Sequence, residues 1–336
     1  MHRWSDILAL QRGETVWPSF CDFHTSNACN QRCIGCAYSG TFDKKLMTEA
    51  DHFHIIDELH EVGVIAYDFA GGGEPTMLPY LPKLMRHIHS IGGNFALITN
   101  GLVMSNDLID ALVQDGTYVR ISLEAPNAED YAAYKQVPQA QWQIVQWSIQ
   151  RLIDAARRSC DGNDLEISLK FAVGKSFKGP EHYKRCIEIG RKYGVSRVTI
   201  KALRHKPEEL PEAERILQHF ILRQVVYEEG AEDLVSSWIA PLDPALVPEC
   251  WLTPLHTVVD HLGDVYVCCY YYNDRHEEMW IGNMLKQPFR KFWMGDHHRN
   301  LLGNLRRSKC NEVDCKFMKH GIAVAKAANR NHIGWL

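Results

Sequence analysis

The stretch "SNACNQRCIGCAYSG", residues 26–40, places Cys29, Cys33 and Cys36 within eight positions of the chain, and the next cysteine is Cys160. Structural zinc sites normally use four ligands, and an iron–sulfur cubane normally takes four thiolates. Three thiolates at the spacing C-x3-C-x2-C would therefore hold three irons of a cubane and leave the fourth iron open to a ligand. The stretch also follows an apolar run that predicts a strand, and α/β enzymes bind ligands at the carboxyl ends of parallel strands. The spacing and the position together predict a metal cluster with a free coordination position.

The composition is that of an ordinary globular protein with an unusual number of cysteines. The chain has 336 residues, of which 46% are hydrophobic and 23% are charged, and its formal net charge is -4. No apolar stretch reaches the roughly 18 residues of a membrane helix, and no signal peptide is visible, so we expect a soluble, cytoplasmic protein without a membrane partner. The charge balance disfavours nucleic acid as a partner. Eleven cysteines without a secretion signal indicate metal binding rather than disulfides.

Outward from the cysteine stretch, short β-type runs alternate with amphipathic helical segments. Six candidate strands separated by helices indicate repeated right-handed βαβ units. Eight such units are not visible, so we predict an α/β fold, an open six-stranded (β/α)6 partial TIM barrel. The candidate strands are residues 19–25, 65–71, 94–100, 118–124, 166–173 and 197–203.

One face of nearly every candidate strand is polar and often charged. Side chains alternate along a strand, and a parallel strand that is buried on both faces should be apolar throughout. Because burying unpaired charge is costly, we expect the polar faces to line a wet, ligand-binding interior, with a few structural ion pairs as the alternative. The candidate catalytic residues on these faces are Asp22, His24, Asp68, Arg120, Glu166 and Lys170.

The cysteine stretch resembles the cluster loop of the radical SAM superfamily. "CNQRCIGCAY" matches that loop, "AGGGEPT" (residues 70–76) resembles the family's GGE motif, and "RISLEAP" resembles its fourth strand, although many relatives have Asp where this chain has Glu124. The resemblance covers about residues 18–203. It implies a [4Fe–4S] cluster on Cys29, Cys33 and Cys36 whose open iron binds S-adenosylmethionine, and after reduction a 5'-deoxyadenosyl radical. The cofactor-binding residues that it implies are Tyr38, Gly72, Gly73, Glu74, Ser122 and Lys201.

A second set of cysteines follows in the last third of the chain. Cys250 and Cys268 bracket a predicted β-hairpin with its turn at Gly263, and this C-x12-G-x4-C pattern resembles the start of a SPASM or twitch extension. The cysteines suffice for one auxiliary [4Fe–4S] cluster, with Cys269 and His320 as alternative ligands and a structural zinc ion as the alternative metal. The implied auxiliary ligands are Cys250, Cys268, Cys310 and Cys315.

These segments divide the chain into four parts. We predict an N-terminal extension (1–17), a radical SAM core (18–235), a proline-containing linker (236–249) and a twitch or SPASM-like domain (250–336). The remaining cysteines, Cys21, Cys160 and Cys186, are expected in the core or on the surface, and the helical histidines His52, His54, His87 and His89 on the surface.

The resemblance implies an enzyme that abstracts hydrogen from its substrate. The polar strand faces favour a small polar substrate, such as a sugar, an aminocyclitol or a nucleotide-linked sugar, that is oxidised or epimerised. A flavodoxin- or ferredoxin-type protein would supply the electron. The first alternative is a maturase that modifies a ribosomally made peptide; such enzymes commonly carry an N-terminal leader-binding domain, for which some 18 residues leave little room. RNA modification, and a non-catalytic iron–sulfur or zinc-binding module, are further alternatives.

Overall fold

The computed structural model describes residues 4–38, 43–159, 164–174, 177, 179–203, 210–239, 250, 252–269 and 276–305. The chain divides into two compact units. Unit 1 comprises residues 1–24, 45–67 and 242–336, and unit 2 comprises residues 25–44 and 68–241. Among the described residues, none of the helices combines the length and the apolar character needed to cross a membrane.

Helices and strands alternate along most of the chain. The helices are α1 (Trp4–Gln11), α2 (Glu49–Glu61), α3 (Leu81–Ser90), α4 (Asn106–Asp115), α5 (Ala128–Lys135), α6 (Ala140–Arg158), α7 (Pro180–Tyr193), α8 (Glu212–Glu228), α9 (His276–Met279), α10 (Phe289–Trp293) and α11 (Asp296–Leu305). The strands are β1 (Phe20–Phe23), β2 (Ala66–Phe69), β3 (Asn94–Thr99), β4 (Tyr118–Glu124), β5 (Glu166–Val173), β6 (Arg197–Ala202), β7 (Val235–Trp238), β8 (His256–Val259), β9 (Asp264–Tyr266) and β10 (Trp280–Asn283).

Unit 1 contains the strands β10-β9-β8-β1, in that order, and the first half of β2. β1 and β8 are parallel, while β8 and β9 form the antiparallel hairpin that the sequence predicts. Its turn includes Gly263, whose φ of 77° is a conformation that favours glycine. Trp293 is fully buried in the core of this unit, and its indole Nε1 donates a hydrogen bond to the Val16 carbonyl at 2.8 Å.

Unit 2 contains the second half of β2 followed by β3-β4-β5-β6-β7, an open series that ends at β7. Neighbouring strands from β3 to β7 pair in parallel, and helices α3 to α8 connect the strands. The predicted α/β class with an open parallel sheet is therefore confirmed. β7 is an addition to the six predicted strands. It pairs with β6 through Val198 and Val235, and it crosses the boundary that the sequence suggested between core and linker.

Helix α2 corrects one expectation from the sequence. It begins at a capping box, in which the Asp51 backbone N–H donates to Thr48 Oγ1 and the Thr48 N–H donates to the Asp51 carboxylate. His52, predicted to lie on the surface, is fully buried beside the Phe23 ring. It occupies the same helical stripe as the buried Ile55, one turn further along α2.

Candidate cluster and cofactor site

The loop that follows β1 is anchored on helix α5 of the same unit. We call residues 26–38 the cluster loop. Gln31 is almost fully buried, and its amide Nε2 donates to Tyr131 Oη at 2.8 Å. The Ile34 N–H donates to the Tyr134 carbonyl at 2.9 Å. These contacts hold the cysteine-bearing segment against the carboxyl-terminal half of α5.

The three cysteines of the cluster loop are half-buried thiols. Burial raises the pKa of Cys29 to about 11 and also raises the pKa of Cys33 and of Cys36. Free thiolates are therefore disfavoured, and a metal that binds them must displace their protons. In the described ranges, no three His, Cys, Asp or Glu side chains converge tightly enough for a single metal ion. Three thiols are the donor type that holds three irons of a cubane, so the donor set fits a four-iron cluster.

The glycine turn after β2 approaches the cluster loop backbone to backbone. The Gly73 N–H donates to the Ser26 carbonyl at 2.6 Å, and the Glu74 N–H donates to the Ala28 carbonyl at 2.8 Å. A Cβ atom on Gly73 would collide with the Ala28 carbonyl, so no other residue fits without moving the backbone. Gly72 has a φ of 68°, which also favours glycine. The two glycines predicted to bind cofactor thus shape the loop that carries the cysteines.

Glu74 is buried, and its carboxylate connects this turn to the end of β3 through hydrogen bonds. Its Oε1 accepts hydrogen bonds from the N–H and the hydroxyl of Thr76 and from Thr99 Oγ1 at 2.6 Å, while Oε2 accepts from the Asn100 N–H at 2.7 Å. The Asn100 side chain continues to Asn30 in the cluster loop, Nδ2 to Oδ1 at 2.6 Å. Donors from the protein contact both oxygens of this carboxylate, so Glu74 fixes the turn, and its predicted role in cofactor binding stays a prediction.

The last residue of strand β4, Glu124, combines a strained backbone with a buried carboxylate. Glu124 has a φ of 72°, which is rare for a residue with a side chain, and it follows a register shift between β4 and β5. Its Oε1 accepts from Lys170 Nζ at 2.7 Å, while Oε2 is buried with no hydrogen-bond partner in the described part of the chain. Burial alone would raise the pKa of Glu124, but Lys170 and then Lys135 outweigh it and hold that pKa below its usual value.

The structure brings some of the predicted residues of unit 2 together and separates one from them. Ser122 and Lys170 are half-buried paired residues on β4 and β5, next to Glu124. Glu166 is different, because it is the first residue of β5, at the amino end, and it forms an exposed ion pair with Arg197 at 2.8 Å. We therefore remove Glu166 from the candidate site. The other predicted residues of this unit are half-buried and comprise Tyr38, Asp68, Arg120 and Lys201.

In unit 1, a buried acid–imidazole pair lies at the end of β1. Asp22 belongs to the strand and His24 directly follows it. Asp22 Oδ1 lies 3.2 Å from His24 Nε2, and the side chains are 3% and 0% exposed. Both residues were predicted to be catalytic, and that role stays a prediction.

The auxiliary cysteines are described only in part. Cys268 and Cys269 are buried, and Cys250 is half-buried, with its Sγ 2.7 Å from Thr253 Oγ1. Cys310, Cys315 and His320 lie outside the described residues. The ligand set predicted for the auxiliary cluster therefore stays a prediction.

Sequence reasoning missed several residues that build the site. Thr99 and Asn100 lie in "LITN" at the end of β3, where a polar pair after an apolar run was a usable signal. Asn30 and Gln31 lie between the cysteines and were visible only as spacer residues. Lys135 gave no signal, since it stands at the end of a helix far along the chain.

Comparisons with known proteins match both halves of the chain to iron–sulfur families. The model described as the radical SAM superfamily matches residues 23–218, and SPASM, an iron–sulfur cluster-binding domain, matches residues 250–316. An S-adenosylmethionine-dependent nucleotide dehydratase from Flammeovirga pacifica is 29% identical over 128 residues, which cover 35% of this chain and 42% of that protein. PqqA peptide cyclase from Bradyrhizobium diazoefficiens is 26% identical over 129 residues, which cover 37% of this chain and 34% of that protein. The matches thus span less than half of either relative.

A solved structure shares the fold over most of the chain. Streptococcus suis SuiB, solved bound to the precursor peptide SuiA, superposes with a TM-score of 0.70 over 91% of this chain and 70% of its own. At 13% sequence identity the similarity concerns the fold alone.

Proposed function

The chain belongs to the radical SAM superfamily, whose model matches more than half of its residues, and from this premise we propose that it modifies a peptide substrate. It carries a SPASM domain, so it is an enzyme that uses S-adenosylmethionine, a three-cysteine [4Fe–4S] cluster and auxiliary iron–sulfur chemistry. The finer question is which substrate enters the site.

One observation carries the choice of a peptide. Part of the chain is similar to a peptide cyclase, and the fold is shared with an enzyme solved with its precursor peptide. This favours the maturase alternative over the small polar substrate that the strand faces suggested. The nucleotide dehydratase supports a second candidate, a nucleotide substrate, because its match has a similar length and identity.

The residues of unit 2 prepare the site for its cofactors. When bound, the cluster and S-adenosylmethionine supply a carbon radical that can remove hydrogen from an unactivated C–H bond. Cys29, Cys33 and Cys36 hold the irons, while Gly73 lets two backbone segments meet without a side chain between them. Glu74 fixes the turn through four hydrogen bonds, so this part of the site is preorganised.

Charged residues are available for substrate chemistry. We propose Asp68, Arg120 and Lys170 as substrate-orienting residues, since they are half-buried polar groups on parallel strands. A flavodoxin- or ferredoxin-type protein remains the proposed electron donor.

The test is substrate-dependent cleavage of S-adenosylmethionine. Protein reconstituted without oxygen is incubated with S-adenosylmethionine, dithionite and either short peptides encoded beside its gene, nucleoside triphosphates, or sugars and aminocyclitols. We expect a peptide to raise the yield of 5'-deoxyadenosine and to change mass. Stimulation by a nucleotide or by a sugar alone would overturn the peptide assignment, and the Cys29→Ala/Cys33→Ala/Cys36→Ala variant gives the background.

A further inference from the structure

A buried lysine stands at the end of helix α5, where the cluster loop is anchored. Lys135 is 1% exposed, and its Nζ donates to the Ser122 carbonyl at 2.7 Å. Within the described ranges it forms no ion pair, and the neighbouring carboxylate of Glu124 forms its ion pair with Lys170. A buried ammonium without a paired anion is costly. A fold that retains it therefore benefits from a negative group close by.

The neighbouring negative group is the cysteine loop itself. The Arg32 N–H donates to the Lys135 carbonyl at 3.2 Å, and the Ile34 N–H donates to the Tyr134 carbonyl at 2.9 Å. Cys33 lies between these two anchored residues in the sequence. The loop that carries the thiolates is thus fastened to the same helical turn that carries the ammonium.

Without Lys135, the carboxyl end of helix α5 would present negative charge to an anionic cluster. The carboxyl end of an α-helix carries a partial negative charge of about half an elementary charge. Three thiolates and the cubane they hold add further negative charge beside it. The Lys135 ammonium is the positive group on that turn, so it offsets both contributions.

The side chain of Lys135 lies near the ring that anchors the loop. Its Nζ is 5.9 Å from the centroid of the Tyr131 ring, and the Tyr131 hydroxyl accepts a hydrogen bond from Gln31 of the cluster loop. The ammonium therefore lies beside the residues that hold the cluster loop on α5.

We propose that Lys135 is the built-in counter-cation of the cluster held by Cys29, Cys33 and Cys36, and that it raises the reduction potential of this cluster. Reduction adds one electron to an already anionic group, and a fixed positive charge in a buried site favours that state. Lys135 is a positioning residue: its ammonium acts electrostatically on the cluster, and its carbonyl accepts a hydrogen bond from Arg32 of the cluster loop. The inference depends on the radical SAM cluster and is independent of the peptide assignment.

The experiment measures the midpoint potential of this cluster in three variants of the full chain. Lys135→Met removes the charge and the hydrogen bond to Ser122, Lys135→Gln removes the charge but retains an N–H donor, and Lys135→Arg retains the charge. Reconstituted protein is titrated potentiometrically without oxygen, and the reduced cluster is followed by electron paramagnetic resonance. The signal of the auxiliary cluster is recorded in the Cys29→Ala/Cys33→Ala/Cys36→Ala variant and subtracted. Lys184→Met, which removes a half-exposed lysine on α7, is the matched control.

The proposal predicts a separation of the variants by charge. We expect Lys135→Met and Lys135→Gln to lower the equilibrium constant for one-electron reduction about tenfold, a shift of about 59 mV to more negative potential. Lys135→Arg and Lys184→Met should remain at the wild-type potential. An unshifted potential in Lys135→Gln with its cluster intact, or an equal shift in Lys135→Arg, would overturn the proposal. If Lys135→Met fails to fold, Lys135→Gln decides, because its side chain retains an N–H donor.

Discussion

At the residue scale, the glycine turn and the cluster loop meet at Gly73, which faces the Ala28 carbonyl, and Glu74 joins the same turn to the end of β3.

Replacement of Gly73 tests the close approach of the two backbone segments. Gly73→Ala should weaken S-adenosylmethionine binding at least tenfold, because the added methyl group would collide with the carbonyl oxygen of Ala28, and that backbone cannot yield cheaply. Gly303→Ala in α11 is the matched control, since its Cβ would meet open space and alanine favours a helix by about 1 kcal/mol. Equilibrium dialysis of the reconstituted variants measures the binding. Equal affinity of both variants would contradict the steric account.

Replacement of Glu74 tests whether its hydrogen bonds to the turn and to β3 stabilise the fold. Glu74→Gln preserves one acceptor oxygen but turns an NH₂ group toward a donor, either the Asn100 N–H or those of Thr76 and Thr99. We expect a loss of about 1–3 kcal/mol in the free energy of unfolding, the usual cost of a buried unsatisfied polar group. Urea unfolding measures it, with Glu129→Gln on the exposed start of α5 as the control. A loss confined to S-adenosylmethionine binding, with stability unchanged, would instead make Glu74 a direct ligand.

The sequence predicts those site residues that belong to a motif. Spacing and chain order were enough to propose Cys29 and Gly73. Asn100 could not be predicted, since its hydrogen bond to Glu74 forms where β3 ends beside the glycine turn. Glu166 was wrongly placed, because alternation along a strand fixes which face a residue occupies and not how near the carboxyl end it lies.

At the scale of elements, the local hydrophobic pattern of the sequence was sufficient to predict most strands and helices, while β7 depends on pairing with another strand. β7 reads "VSSW", which is too short and polar to predict alone, and it becomes a strand because β6 offers it a parallel partner. His52 was assigned to the surface by its residue type, although its position belongs to the stripe that contains Ile55 and Leu59. The helical period predicts the burial of His52 better than its residue type does, because burial follows the position of a residue on the helix.

The contact between α10 and α11 should make unit 1 sensitive to acid. His298 is buried with its ring 4.1 Å from that of Trp293, and burial lowers the pKa of His298 to about 4 from 6.5. Between these values the unfolded chain binds a proton that the folded chain does not, so stability falls as the pH falls from 6.5 to 4 and is unaffected by this group above 6.5. The loss amounts to about 1.4 kcal/mol per unit of pKa difference, or about 3 kcal/mol at most.

Substitution of this histidine should remove that part of the pH dependence. We expect His298→Gln to flatten the fall in the free energy of unfolding between pH 6.5 and 4.5 relative to the wild type, measured by urea unfolding. Gly303→Ala on the same helix should retain the wild-type slope. A His298→Gln slope equal to the wild type would show that the acid sensitivity has another origin.

At the scale of the whole molecule, the division into units could not be predicted from chain order. The sequence suggested successive domains that change near residue 236, whereas unit 1 gathers segments from both ends of the chain and residues 45–67 between them. Such a unit forms because β1 pairs with β8, more than two hundred residues later. The two family models match consecutive ranges of the chain, whereas each compact unit combines segments that are distant in the sequence.

Counting metal tests the complete set of clusters. Two [4Fe–4S] clusters predict about eight irons per chain after reconstitution, and about four in the Cys29→Ala/Cys33→Ala/Cys36→Ala variant. Cys250→Ala/Cys268→Ala should also bind about four irons, because this variant retains the three cysteines of the cluster loop. That second variant should still cleave S-adenosylmethionine, since the three-cysteine cluster is sufficient for the cleavage, but it should not complete the substrate reaction. About four irons with one zinc ion in the wild type would instead assign Cys250 and Cys268 to a structural zinc site.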